Sequence, residues 1–340
     1  MGATSLSFSL LLGPSIAYLS LMSAHSHEIK HLSELDRRKF LQVSAAVSSL
    51  TLLNALGIAT ASAGASVKLP GFSAFSKSVK VTKSGSYYLV ESSSIPSHNM
   101  MVGIKSWQQQ VPTIQNYMGS NSWSIPVKPV ISANPMSAKD HFLRGAIALA
   151  VNGVPIFNAL NNRGEDALLV GELDDWGGHC GRADDYHYHT APLHLQTILG
   201  KKVPIAYALD GFPIYGETEI DGKAVIGLDS LNGHFDAKKN YHYHGTKTYP
   251  YINGGFKGEV REIQGQVDPQ PSARPFRPAG EPLRGAKITN LTRTGESDFD
   301  LTYSLNGSDY HVKYTATLTN IDIQLIDATG TIRKESYARR

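Results

Sequence analysis

The sequence YHYH at residues 186–189 is the most informative feature of this chain, because the same tetrapeptide occurs again at residues 241–244. A Gly-His pair precedes each tetrapeptide, once as Gly178-His179 and once as Gly233-His234, with seven residues between its histidine and the first histidine of the tetrapeptide. The offset between the two arrangements is 55 residues. A pattern that recurs at a fixed spacing indicates an internal duplication.

Two further blocks repeat in the same order. Leu173-Asp174 matches Leu228-Asp229 at the same offset, and NGVPIF at residues 152–157 matches DGFPIY at residues 210–215 at an offset of 58. The sequence therefore predicts two copies of a β-rich unit, at about residues 145–200 and 203–255. We expect the copies to pack together with approximate internal two-fold symmetry, because two half-units share a core better than one alone.

The histidines of the two copies are candidate metal ligands. Strand side chains alternate between faces, so the two histidines of each tetrapeptide share one face and the tyrosines share the other. A tight turn would bring the upstream histidine back to the same place, and three neutral imidazoles suit zinc or copper. The predicted ligands are His179, His187 and His189 in the first copy, and His234, His242 and His244 in the second. A lone His-x-His pair is more often solvated or hydrogen-bonded, and the sequence leaves open whether the six rings form one centre or two.

Five other residues are possible accessory ligands or partners of the imidazole rings: His98, His194, Asp174, Asp210 and Asp229. Carboxylates often orient the second ring nitrogen of a ligating histidine, and they can also bind the metal directly. Cys180 follows His179, but its counterpart in the second copy is Phe235, so we interpret Cys180 as a packing residue. The tyrosines of both tetrapeptides are expected in the core, with their hydroxyl groups hydrogen-bonded.

The first 63 residues have the features of an export signal. Arg37-Arg38 precede Phe40-Leu41, an uncharged stretch runs from Val43 to Ala63, and residues 61–63 form a small-x-small cleavage pattern. This arrangement predicts a twin-arginine signal peptide at residues 1–63, with the Tat export machinery as a partner. It also predicts a periplasmic or secreted protein with no stable membrane span after cleavage; a Sec signal or an uncleaved anchor is the alternative. A single cysteine leaves no internal disulfide to stabilise the exported chain.

The C-terminal part of the sequence is also typical of β structure. Residues 268–282 contain five prolines and are interpreted as an extended connector. Apolar and polar residues then alternate on both sides of Asn306-Gly307, which predicts a two-residue type I′ hairpin that pairs Tyr303 with Tyr310. A second hairpin is expected near residues 327–330. The predicted fold is thus mainly β, with the duplicated domain at residues 66–265 and a small antiparallel β-hairpin segment at residues 283–335.

The composition excludes several classes of protein. A formal net charge of +3 and 18% charged residues, with no basic stripe in the chain, argue against a nucleic-acid-binding protein. Apolar runs occur only before about residue 65, which argues against a polytopic membrane protein.

The two tetrapeptides, residues 152–157 and residues 210–216 together resemble the YHYH domain family of exported bacterial proteins. The resemblance covers roughly residues 95–260, and Ile95-Pro96-Ser97-His98 resembles an early Pro-x-His element of the family. It implies possible metal binding and no settled biochemical activity.

Three functions remain open at this point. The first is an exported protein that binds copper or zinc through the duplicated H-x7-H-x-H sets. The second is a metal-dependent hydrolase or oxidoreductase, for which Asp210 and Glu217 are weak candidates as general base and for which no established catalytic motif is present. The third is a metal-free glycan or cell-surface binding module that uses the tyrosines as stacking platforms.

Overall fold

The computed structural model describes residues 69–339 of the chain. The predicted signal peptide at residues 1–63 lies outside them, so the twin-arginine assignment stays a prediction. In the described part, twenty strands accompany one short α-helix, α1 (His194–Leu199), and two single-turn 3-10 helices. The mainly β prediction is confirmed. Among residues 69–339, no helix has both the length and the hydropathy needed to cross a bilayer.

Four strands precede the first predicted copy: β1 (Val79–Ser84), β2 (Tyr87–Ser92), β3 (Trp123–Pro126) and β4 (Ile131–Ser137). The first three form an antiparallel sheet in the order β1-β2-β3. Breakers such as Pro112 and Pro129 keep the surrounding segments irregular, since proline cannot donate to a strand ladder.

The eight strands of the two copies form one continuous sheet. The first copy supplies β5 (Ala146–Ala150), β6 (Pro155–Phe157), β7 (Gly178–Cys180) and β8 (Tyr186–Tyr188). The second copy supplies β9 (Ala206–Ala208), β10 (Pro213–Tyr215), β11 (Gly233–Phe235) and β12 (Tyr241–His244). The strand order is β11-β12-β10-β9-β5-β6-β8-β7, so each copy builds one half of the sheet and β5 pairs with β9 at the centre.

The centre of this sheet is the core of the protein. All five residues of β5 are fully buried, and its alanines pair with those of β9, Ala148 with Ala208 and Ala150 with Ala206. Small side chains at the central strand pair let the layers above and below approach the sheet closely. Larger buried groups, including the rings of Tyr186 and Tyr243, surround this centre.

Two parallel strand pairs position the histidine sets. β6 runs parallel to β8, and β10 runs parallel to β12. Because parallel strands end at the same edge of a sheet, the loops that leave β6 and β10 begin beside the last histidine of each tetrapeptide. Each of these two loops therefore lies against the histidine set of its own copy.

Three short strands follow: β13 (Gly255–Gly258), which pairs with β4, and the hairpin of β14 (Arg261–Ile263) and β15 (Gln266–Asp268). The proline-rich stretch after β15 contains no strand, and its Arg277 guanidinium lies 2.9 Å from the buried carboxylate of Asp184. The connector is therefore tied to the turn between β7 and β8.

The C-terminal segment is a five-stranded antiparallel sheet, larger than the predicted hairpin. Its strands are β16 (Lys287–Arg293), β17 (Asp298–Leu305), β18 (Ser308–Ala316), β19 (Asn320–Ile326) and β20 (Ile332–Ala338). The predicted pairing of Tyr303 with Tyr310 is confirmed, and Asn306 and Gly307 have the positive φ values, 52° and 80°, that a type I′ turn requires. The sheet packs on the rest of the chain through Trp107, whose ring centre lies 5.0 Å from that of Tyr303.

Candidate metal centre

The antiparallel pairing of β7 with β8 explains the spacing of the first histidine set. His179 lies directly opposite His187 across the strand pair, and His189 follows two residues later on the same face. Residues 181–185 make the tight turn between the two strands, in which Asp184 has a positive φ of 55°. Cys180 points to the opposite face of β7 and is buried, as expected for a packing residue.

Packing explains why a glycine precedes the first histidine in each copy. A Cβ atom at Gly178 would lie 2.6 Å from the hydroxyl oxygen of Tyr186, because this tyrosine crosses over the glycine on the neighbouring strand. The same overlap occurs between Gly233 and Tyr241 in the second copy. The glycine thus makes room for the first tyrosine of each tetrapeptide and allows the strands to pair in this register.

The Nε2 atoms of the first set converge on one point. The distance between the Nε2 atoms of His179 and His189 is 3.0 Å, and that between His187 and His189 is 3.1 Å. His187 donates from Nδ1 to the carbonyl oxygen of Asp185 at 2.9 Å, and His189 donates from Nδ1 to that of Asn158 at 2.5 Å. A carbonyl only accepts hydrogen bonds, so in the neutral rings the Nε2 atoms of His187 and His189 carry lone pairs that face each other.

The second set repeats this arrangement. His234 lies opposite His242 in the pairing of β11 with β12, and their Nε2 atoms are 3.1 Å apart. The Nδ1 atoms of His234 and His244 donate to the carbonyl oxygens of Ile226 and Gly216, at 3.1 and 2.8 Å. The buried Nε2 atom of His244 has no hydrogen-bond partner within residues 69–339.

Glu219 completes the second set and was not among the residues predicted from the sequence. Its carboxylate oxygens lie 3.1 Å from Nε2 of His234, 3.5 Å from Nε2 of His242 and 3.8 Å from Nε2 of His244. Glu219 lies in the loop that leaves β10, at the position that corresponds to Asn161 in the first copy. The alignment of the two copies would have drawn attention to this position, since only the second copy has a carboxylate there.

Burial favours the neutral form of the buried rings. Desolvation lowers the pKa of His179 and His187 well below the usual value, and it lowers that of His244 to about 4. A neutral imidazole with its lone pair directed inward is the form that binds a metal ion. The residues therefore form two separate groups with the donor chemistry of a transition-metal site: three histidines in one, and three histidines and a glutamate in the other.

Comparison with known protein families agrees with this arrangement. Residues 122–224 match the family model described as YHYH protein. The chain carries a YHYH family domain. The match contains the first histidine set and Glu219 and ends before His234, so the other three ligands of the second set lie beyond it. Comparisons with curated proteins and with solved structures gave no match.

The structure also shows what the three aspartates of the repeated blocks contact. Asp174 and Asp229 accept hydrogen bonds from the first tyrosine of each tetrapeptide, Tyr186 at 2.8 Å and Tyr241 at 2.9 Å. Asp210 accepts from the second tyrosine of the second copy, Tyr243, at 2.6 Å. The structure thus places these carboxylates against tyrosine hydroxyls on the face away from the histidine sets. Desolvation by burial raises the pKa of Asp174 and of Asp210 to about 6.

His98 and His194 also lie outside both histidine groups. Nε2 of His98 lies 2.5 Å from the hydroxyl oxygen of Tyr188, and its ring centre lies 4.9 Å from that of His194. Both rings contact Trp176, in an aromatic cluster behind the first tetrapeptide. Glu217, the other base candidate, pairs with Lys247 at 3.3 Å and is partly exposed.

Proposed function

We propose that this YHYH protein binds two transition-metal ions, copper or zinc, at two separate centres. His179, His187 and His189 would hold one ion, and His234, His242, His244 and Glu219 would hold the other. A set of three histidines suits either metal, and a carboxylate oxygen is a common fourth ligand of zinc.

One observation carries the proposal. In each copy the Nε2 atoms of two histidine rings meet at 3.1 Å, and in the first copy both of these buried rings donate their Nδ1 protons to backbone carbonyls. In the first copy the facing lone pairs repel each other, and no proton is left to bridge them. A cation at the point of convergence removes the repulsion and satisfies the unpartnered Nε2 atom of His244.

We also propose that the two halves of the central sheet are related by an approximate two-fold axis and that the protein acts outside the cytoplasm. The palindromic strand order of the two copies supports the first point. The paired arginines at residues 37–38 and the small-x-small pattern at residues 61–63 support the second. N-terminal sequencing of protein recovered from the periplasm or the medium would test export, with a new N-terminus at Gly64 as the expected result.

Elemental analysis tests metal binding directly. The purified protein, reconstituted with zinc or copper and freed of excess metal, should retain two ions per chain. His187→Ala and His242→Ala should each retain one ion, and the double variant should retain none. His311→Ala is the matched control, since His311 is paired with Asp300 in the C-terminal sheet. Retention of two ions by the double variant, or of none by the parent protein, would refute the proposal.

The structure disfavours the glycan-binding alternative. The four tyrosines of the tetrapeptides are at most 2% exposed, so they present no stacking surface to a sugar. A metal-dependent activity is favoured at the first set, because a cavity opens beside it.

A further inference from the structure

The two histidine sets differ at the position of the fourth ligand. Glu219 fills this position in the second set, whereas the corresponding residue of the first set is Asn161. The Asn161 side chain donates to Glu165 at 3.1 Å and to Glu172 at 3.2 Å, so its amide group is held by these two carboxylates. In the first set, no carboxylate of the described residues joins the three imidazoles.

Resting on the proposed metal function, we propose that the first centre keeps an open coordination position that takes a small oxyanion, such as a carboxylate or phosphate group. A cavity of about 220 Å³ is lined by all three histidines of this set. It is also lined by Arg144, Arg163 and Arg182. A bound anion would therefore contact the metal ion on one side and guanidinium groups on the other.

The charge of the cavity favours an anion. Its one carboxylate, Glu172, is buried and already held by Arg163 at 2.5 Å. Among residues 69–339, the arginines in ion pairs are Arg163, Arg261, Arg277 and Arg333. Arg144 and Arg182 are therefore uncompensated, and their side chains can bind oxygen atoms of an anion through paired N–H groups.

The second copy lacks this environment. Asp221 occupies the position of Arg163 there, and Ala237 occupies that of Arg182. The carboxylate of Glu219 supplies the negative charge itself and lies where an external anion would bind. We therefore expect oxyanions to bind to the first centre and not to the second.

Cobalt(II) serves as the spectroscopic probe, because its visible absorption changes when a ligand is added to a tetrahedral site. Two variants isolate the centres: His242→Ala leaves only the first, and His187→Ala leaves only the second. Titration with inorganic phosphate and with acetate should change the spectrum of the first variant and leave that of the second unchanged. Elemental analysis of the same samples reports whether cobalt is bound at all.

Substitution of the residue at the fourth-ligand position of each centre makes the test more specific. Asn161→Glu should retain cobalt at the first centre and lose the response to both anions, and Glu219→Asn should create a response at the second. Arg182→Gln, at an exposed position that is expected to tolerate substitution, should weaken anion binding about tenfold without changing the cobalt content. An equal anion response from both centres, or bound cobalt with no response at the first, would overturn this inference alone. Absence of bound cobalt from every sample would overturn the metal proposal as well.

Discussion

Acidification of the metal-free protein should show how much the free energy of unfolding falls when the buried His244 is protonated. In the unfolded chain a histidine takes up a proton near pH 6.5, whereas burial lowers the pKa of His244 in the folded protein to about 4. Between these values the unfolded state binds more protons, so stability is lost as the pH falls. A difference of about 2.5 pKa units corresponds to about 3 kcal/mol, and the side chain is fully buried, so solvent screening does not reduce it.

The assay is urea denaturation of the metal-free protein at pH 7 and at pH 4.5, compared between the parent and His244→Gln. The glutamine cannot take up a proton, so the free energy of unfolding should fall by about 2–3 kcal/mol less in the variant. Comparison of the two proteins is essential because Asp174 and Asp210, whose pKa burial raises to about 6, act in the opposite direction and cancel in the difference. An equal fall in both proteins would refute the claim that His244 is held neutral by burial.

Three further predictions concern packing, ligation and metal removal. Gly178→Ala should lower the free energy of unfolding by about 1–3 kcal/mol in urea denaturation, because its Cβ would overlap the hydroxyl of Tyr186; unchanged stability would contradict the proposed overlap. Glu219→Gln should weaken zinc binding at one of the two centres by at least about tenfold in competition with a chromogenic chelator, because it replaces a charged donor by a neutral one; a change at both centres would contradict their independence. Removal of zinc with a chelator should lower the thermal midpoint by about 10 °C, since two sites at a hundredfold excess over their dissociation constants supply roughly 5 kcal/mol. His187→Ala should show about half of that shift in the same calorimetric scan.

The repeated pattern in the sequence predicts the pairing of β7 with β8, because it combines alternation along a strand with a separation that fits a tight turn. Alternation along the strand places His187 and His189 on one face, and the seven-residue separation fits the turn that brings His179 opposite His187. Each of these depends only on local geometry. The alternation around Asn306-Gly307 predicts its hairpin for the same reason, and the register of β17 with β18 confirms it.

Glu219 escaped prediction because its place depends on a long-range contact. It approaches His242 and His244 only because β10 pairs in parallel with β12, whose partner residues are 29 positions apart in the sequence. No local period encodes such a pairing. The position of the aspartates depends on the fold in the same way. The sequence indicates carboxylates near the histidines, but only the fold shows that Asp174 accepts a hydrogen bond from the hydroxyl of Tyr186.

The sequence pattern also does not predict that the C-terminal sheet has five strands. Outer strands such as β20 alternate weakly in sequence, because none of the residues of β20 is buried and most are exposed. The two centres differ at the fourth ligand, where Glu219 of the second copy corresponds to Asn161 of the first, and this difference needs both the alignment of the copies and the positions of the loops.

X-ray diffraction data collected at the zinc or copper absorption edge, from crystals of the reconstituted protein, test the central claim most directly. Two anomalous peaks are expected, one about 2.0–2.1 Å from the Nε2 atoms of each histidine set, with Glu219 bound to the second ion only. A single peak elsewhere, for example between His98 and His194, or no peak at either set, would contradict the account.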